Sequence, residues 1–246
     1  MIRLTRTDLP EVLATDLDRR ASALARESAD SKSARKKWDG AKACRIRLRE
    51  QLKDMAAGLN RCMYCGDNLG TDVDHFAPLF FSPLRAFDWF NHLLACSYCN
   101  SHTKREQFPV AADGTPLLVD PCAEDPSEHL FLVLSSGSYE ALTHRGTATI
   151  QVFGLNRREL TQGRQSAFFA TKLFLKAYLG HHDDGQEERA AETLVHLDQQ
   201  PFADVREAMR WTSAHAPAEN AAALLGGADM VRALEILGPR WAPKPL

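Results

Sequence analysis

Four cysteines stand in two matching knuckles, Cys62-x2-Cys65 and Cys96-x2-Cys99, with thirty residues between the pairs. Each knuckle presents two thiolates, and together they complete the tetrahedral sulfur cage that zinc prefers. Four sulfurs leave no open coordination position, so the expected ion is structural rather than catalytic, worth on the order of 10 kcal/mol to folding. Between the knuckles lie Asp74-His75 and, sixteen residues after His75, Asn91; Asn100 directly follows the last cysteine, with His102 and Lys104 just beyond. His75, with an imidazole that titrates near neutrality, is the candidate to take a proton from water. On an extended strand Asp74 and His75 point to opposite faces, so both reach one centre only where the strand end twists or bends. Asp72 is a second carboxylate that could substitute for Asp74.

The pattern C-x2-C, then D-H-F-x-P, then N-x2-L-x-C-x2-C-N-x3-K resembles the HNH endonucleases with their ββα-metal active site, over about forty residues. The resemblance implies hydrolysis of phosphodiester bonds in DNA, RNA remaining open as a substrate, with 5′-phosphate and 3′-hydroxyl ends. It implies that His75 is the base, that Asp74 and Asn100 bind a catalytic divalent cation, and that Asn91 hydrogen-bonds across the loop to fix the backbone carrying His75. A carboxylate and an amide carbonyl suit Mg2+ or Mn2+, which would hold the scissile phosphate and the leaving oxygen. The third motif residue is often histidine in that family, and here it is Asn100, so His102 is the alternative ligand. Lys104, one helical turn on, is expected at a phosphate.

The elements around this stretch are mixed. Residues 7 to 28 read as a first helix, with Pro10 in the opening turn and Val12, Leu13, Leu17, Ala21 and Leu24 on one face. Between Lys32 and Arg61 ten basic residues face three acidic ones, while Ala41, Cys44, Leu48, Leu52, Met55 and Leu59 recur with helical period. Lys42, Arg45, Arg49 and Lys53 fall side by side on an adjoining face, a candidate nucleic-acid surface. Trp89, Phe87 and Phe90 are expected to pack the zinc unit. Strands are expected at Leu117 to Val119, Leu130 to Leu134, Tyr139 to Thr143 and Thr147 to Phe153, forming a small antiparallel meander. Asn156 and Glu159 then have capping-box spacing, Phe168, Phe169, Leu173, Phe174 and Leu175 supply core, and Gly180 closes that helix before an HHDDG loop. Two or three further helices follow, with a break at Gly226-Gly227 and a Pro-containing tail from Pro239.

The expected class is therefore α+β: a zinc-stabilised ββα-metal core embedded in a mainly helical protein with a small β-meander. Its regions are a helical part at 1–59 with the basic helix, the zinc core at 60–109, a β region at 110–155 and a helical region at 156–246. The 246 residues carry 30 Lys+Arg against 32 Asp+Glu, and their longest apolar run is five residues, far below the roughly 20 of a membrane-spanning helix. With no apolar leader at MIRLTRTDLP, a cytoplasmic protein without membrane contact is expected. The basic helix, the LLVDP-x3-DP stretch from Leu117 and the passage through Leu160 are similar to HNH proteins of prokaryotic anti-phage systems, of Septu and retron-associated type. That wider similarity implies immunity and a partner ATPase. The competing expectation is a non-catalytic zinc module that binds nucleic acid or protein.

Overall fold

Helix α1 (Glu11–Arg26) follows Pro10, which sits at the N-cap, and buries Leu13, Leu17 and Leu24, whose spacings of four and seven residues line one helical face. Val12 lies off that face and is exposed. The basic segment is two helices rather than one. Asp30 caps α2 (Ser31–Gly40) by accepting from the Ser33 N–H at 2.8 Å, and α2 buries only Ala34 and Trp38. Ala41, at φ −87° and ψ 44°, leaves helical geometry before α3 (Lys42–Met55), which buries Cys44, Leu48, Leu52 and Met55. Leu59 lies beyond the end of α3 and is exposed.

Strand β1 (Asp72–His75) pairs antiparallel with β2 (His92–Ala95), Asp72 opposite Ala95 and His75 opposite His92. The chain then winds into a segment with π-type turns, Tyr98–Lys104. A second hairpin, β3 (Leu130–Val133) with β4 (Ser138–Ala141), replaces the expected meander. Leu117 to Val119 forms no strand; the Val119 N–H donates instead to Thr149 Oγ1 at 2.9 Å. Residues 147–153 are not strand either but belong to helix α4 (His144–Phe153), which Thr143 caps from its side chain and Gly154 closes at φ 57°. The β-branched Thr147, Thr149, Ile150 and Val152 favour a strand locally, and tertiary context overrides them. Gly146 permits it: a Cβ there would meet the His129 carbonyl at 2.0 Å, so only glycine lets α4 lie this close to the hairpin.

Helix α5 (Arg158–Asp183) has no side-chain cap, and it continues through Gly180, His181 and His182, which were expected to end it or form a loop. Asn156 makes no capping box; its side chain accepts from the Tyr139 N–H at 2.7 Å and donates to the Tyr139 carbonyl at 2.8 Å, clamping β4. The buried face of α5 is Leu160, Arg164, Thr171, Leu175, Tyr178 and Leu179, while Phe169 and Leu173 are exposed. Four further helices are described, α6 (Glu187–Asp198), α7 (Ala203–His215), α8 (Ala218–Leu225) and α9 (Ala228–Leu237), with Gly226 in the left-handed region between the last two. Residues 1–238 are described by a computed structural model; the expected tail from Pro239 lies outside them.

The architecture is thus mostly helical with two small antiparallel sheets, consistent with the α+β class. One continuous hydrophobic core runs from Met1 to Leu237, and Phe87 and Trp89 belong to it whereas Phe90 is exposed. At its centre Asp204 binds Arg164 Nε at 3.0 Å and accepts from the Tyr139 hydroxyl at 2.7 Å, tying α7, α5 and β4 together. Burial would raise the Asp204 pKa, but the Met1 amine and Arg164 outweigh it and hold the carboxyl at about 2. Among the described residues no helix is long and apolar enough to cross a membrane.

Candidate active site and tetracysteine centre

Cys62 and Cys65 sit in a tight turn in which the Gly66 N–H bonds the Cys62 carbonyl at 2.9 Å. Cys96 and Cys99 lie where β2 ends and the π-type segment begins, and the Cys99 N–H points at Cys96 Sγ at 3.4 Å. All four cysteines are buried, and their Sγ atoms lie within 4.8 Å of one another, with Cys65 and Cys96 at 3.9 Å. Zinc–sulfur bonds of roughly 2.3 Å at tetrahedral angles place the sulfurs about 3.8 Å apart, so the cluster can bind a zinc ion. Such an ion would pin the end of β2 to the first knuckle.

His75 is 7% exposed at the end of β1, and its ring edge meets Trp38 of α2 with centroids 4.5 Å apart. Its Nε2 lies 3.1 Å from the Ala86 carbonyl. A carbonyl only accepts, so Nε2 carries the proton and Nδ1 keeps its lone pair. His92 Nε2 reaches the same carbonyl at 3.1 Å, and His92 stacks on Trp38. Burial, more than the Ala86 bond can offset, lowers the His75 pKa to about 3, so the imidazole is neutral near pH 7. Asn91, fully buried, accepts from the Ala77 N–H at 2.8 Å and donates to the Ala77 and Arg85 carbonyls at 3.1 and 3.2 Å. These bonds span the two sides of the loop that joins β1 to β2 and hold Ala86 next to His75.

Asp74 points away from His75 into the interior, as alternation along a strand requires. Its Oδ2 accepts from the Tyr64 hydroxyl at 2.5 Å, and Lys104 Nζ lies 3.0 Å from Oδ1 and 2.9 Å from Oδ2. Burial raises the Asp74 pKa, opposed by the Lys104 charge and the Tyr64 bond. Lys104 is completely buried and also donates to the His75 carbonyl at 2.6 Å. A phosphate contact for Lys104 is therefore excluded by its position; the lysine neutralises a carboxylate inside the protein instead. Asp72, two residues earlier, is only half-buried, and its Oδ2 accepts from Asn100 Nδ2 at 3.2 Å. His102 is exposed, stacks on Tyr98 and takes no part in this group.

Asp72, His75 and Asn100 line one cavity of about 580 Å³, which the buried Asp74 also touches. Its wall also carries five cations, Arg35 of α2, Lys42, Arg45 and Arg49 of α3, and Arg105, alongside Asp39 and apolar side chains such as Trp38 and Leu79. Lys53, expected in the same row, lies off the cavity and pairs with Glu50 at 2.9 Å. Arg35 and Arg105 carry no local signal. Arg35 arrives because the chain turns at Ala41, and Arg105 because it adopts a left-handed φ of 49° straight after Lys104.

The chain is similar to a Septu protein. It is 28% identical over 147 residues to "Septu protein PtuB" of Bacillus mycoides (strain KBAB4), a match covering 48% of this chain and 49% of that protein. The chain thus spans about half the length of the curated relative it matches. No family model matches the chain, and no solved structure matches it. The likeness agrees with the Septu-type resemblance of the sequence and leaves the chemistry to be argued from the site.

Proposed function

We propose that this chain is a Septu-type anti-phage defence protein whose cavity hydrolyses phosphodiester bonds of DNA with HNH-type chemistry, acting with a partner ATPase. One observation carries the reading: a neutral histidine with a free Nδ1 lone pair shares a cavity with oxygen donors and five cationic side chains. The cations attract and orient the phosphate backbone. His75 Nδ1 takes a proton from a water, the water oxygen attacks phosphorus, and the P–O3′ bond breaks, the departing 3′ oxygen taking a proton from a second water to leave 5′-phosphate and 3′-hydroxyl ends. Asn91 keeps the Ala86 carbonyl in place and so keeps His75 in the productive tautomer. The family resemblance assigns a divalent ion to Asp74 and Asn100; Mg2+ or Mn2+ bound beside the phosphate would neutralise charge on it and on the leaving oxygen.

The test is cleavage of supercoiled plasmid by zinc-loaded protein with Mg2+ or Mn2+, alone and with a candidate partner ATPase, and with tRNA as the RNA comparison. His75→Ala should abolish cutting while zinc content and circular dichroism stay unchanged. Cutting by that variant at the parent's rate removes His75 as the base. Salt-sensitive DNA binding without cleavage under either ion, with and without the ATPase, makes the chain a binding module instead.

A further inference from the structure

The carboxylate that the family pattern assigns to the catalytic cation is not available to one. Both oxygens of Asp74 are taken, by the Lys104 ammonium at 2.9–3.0 Å and the Tyr64 hydroxyl at 2.5 Å, and all three side chains are buried. A cation entering there would meet an ammonium already in its seat and would have to displace a buried charge from the carboxylate that neutralises it.

Two residues along the same strand the situation differs. Asp72 Oδ2 and the Asn100 side-chain amide lie 3.2 Å apart, both facing the cavity. Adjacent ligands of an octahedral ion with bonds of 2.0–2.1 Å stand about 3 Å apart, so turning the Asn100 amide over would leave two oxygens at the separation of one octahedral edge. The base of the proposed reaction lines the same cavity as this pair. It is the buried His75 imidazole, and among the described residues no hydrogen bond reaches its Nδ1.

We propose that the divalent cation seats between Asp72 and Asn100, and that Asp74 is the buried counter-charge of Lys104 rather than a ligand. The inference rests on the phosphodiesterase reading above and deepens it. It gives the two carboxylates separate tasks: Asp72 meets the ion in the open cavity, while Asp74 and Lys104 hold the strand that carries His75, through the Lys104 bond to the His75 carbonyl.

The experiment titrates Mn2+ into the zinc-loaded full chain and follows free Mn2+ by electron paramagnetic resonance. Asp72→Asn should weaken Mn2+ binding by more than roughly tenfold, since even outer partners of a ligand are worth that much, and should leave the unfolding temperature unchanged. Asp74→Asn should hold Mn2+ within about twofold of the parent and lower the unfolding temperature. Where Asp74→Asn does not fold, the double variant Asp74→Asn/Lys104→Met, which removes both buried charges, replaces it with the same expected affinity. Loss of Mn2+ binding in either Asp74 variant, or its retention in Asp72→Asn, overturns the assignment. A parent that cuts DNA and binds Mn2+ while the variants behave in reverse leaves the nuclease reading standing and sinks this inference alone. A parent that neither binds Mn2+ nor cuts ends both.

Discussion

Lys104→Met tests the buried charge pair directly. The lysine is completely buried, its ammonium contacts both oxygens of Asp74, and no solvent can replace it. Removing one partner of a buried pair costs about 3–5 kcal/mol, because a carboxylate is left uncompensated. That is a large share of the 5–15 kcal/mol by which domains are stable. Burial already pushes the Asp74 pKa up, and without Lys104 it rises further, so the variant relieves itself by taking a proton. A carboxyl whose folded pKa exceeds its unfolded value adds stability below the unfolded pKa and loses it as pH rises through the folded one. The deficit of Lys104→Met should therefore be smaller at pH 5 than at pH 8. Urea unfolding of zinc-loaded parent and variant at both pH values, with equal m values, measures it. A deficit below about 1 kcal/mol at pH 8, the size of an exposed pair, would refute the burial argument.

Zinc should copurify at one ion per chain, and Cys96→Ser or strong chelation should collapse cooperative melting, a loss on the order of 10 kcal/mol; unchanged melting of metal-free protein contradicts the structural role. Asp204, held at about 2 against an ordinary 3.8, adds roughly 2 kcal/mol that is present above pH 4 and lost as pH falls toward 2; Asp204→Asn should flatten that acid limb in a pH series of urea melts. Arg45→Ala and Arg49→Ala should each lower the slope of log binding constant against log salt for DNA by about one, measured by fluorescence anisotropy, while Lys53→Ala, which lies off the cavity, should leave it unchanged.

What could be read from residues alone was whatever local spacing determines. The two Cys-x2-Cys knuckles announce their cage because two residues are the reach of a turn that aims both sulfurs at one ion, and the sulfurs do converge. The buried faces of α1 and α3 follow from helical period, and Gly226 marks a break because it needs no Cβ. Where local and distant forces compete, the sequence misleads. Residues 147–153 look like a strand until Gly146 and Thr149 are seen against His129 and Val119. Asn156 looks like a cap until its amide is seen on Tyr139. Lys104 looks like a phosphate contact, since a lysine is by default solvated, and only the return of the chain thirty residues after Asp74 supplies the carboxylate that allows its burial. Strand alternation foretold that Asp74 and His75 diverge, but which of Asp72 and Asp74 faces water was settled by what packs behind β1. Charge is free to choose solvent or a partner, and only the folded chain brings the partner within 3 Å.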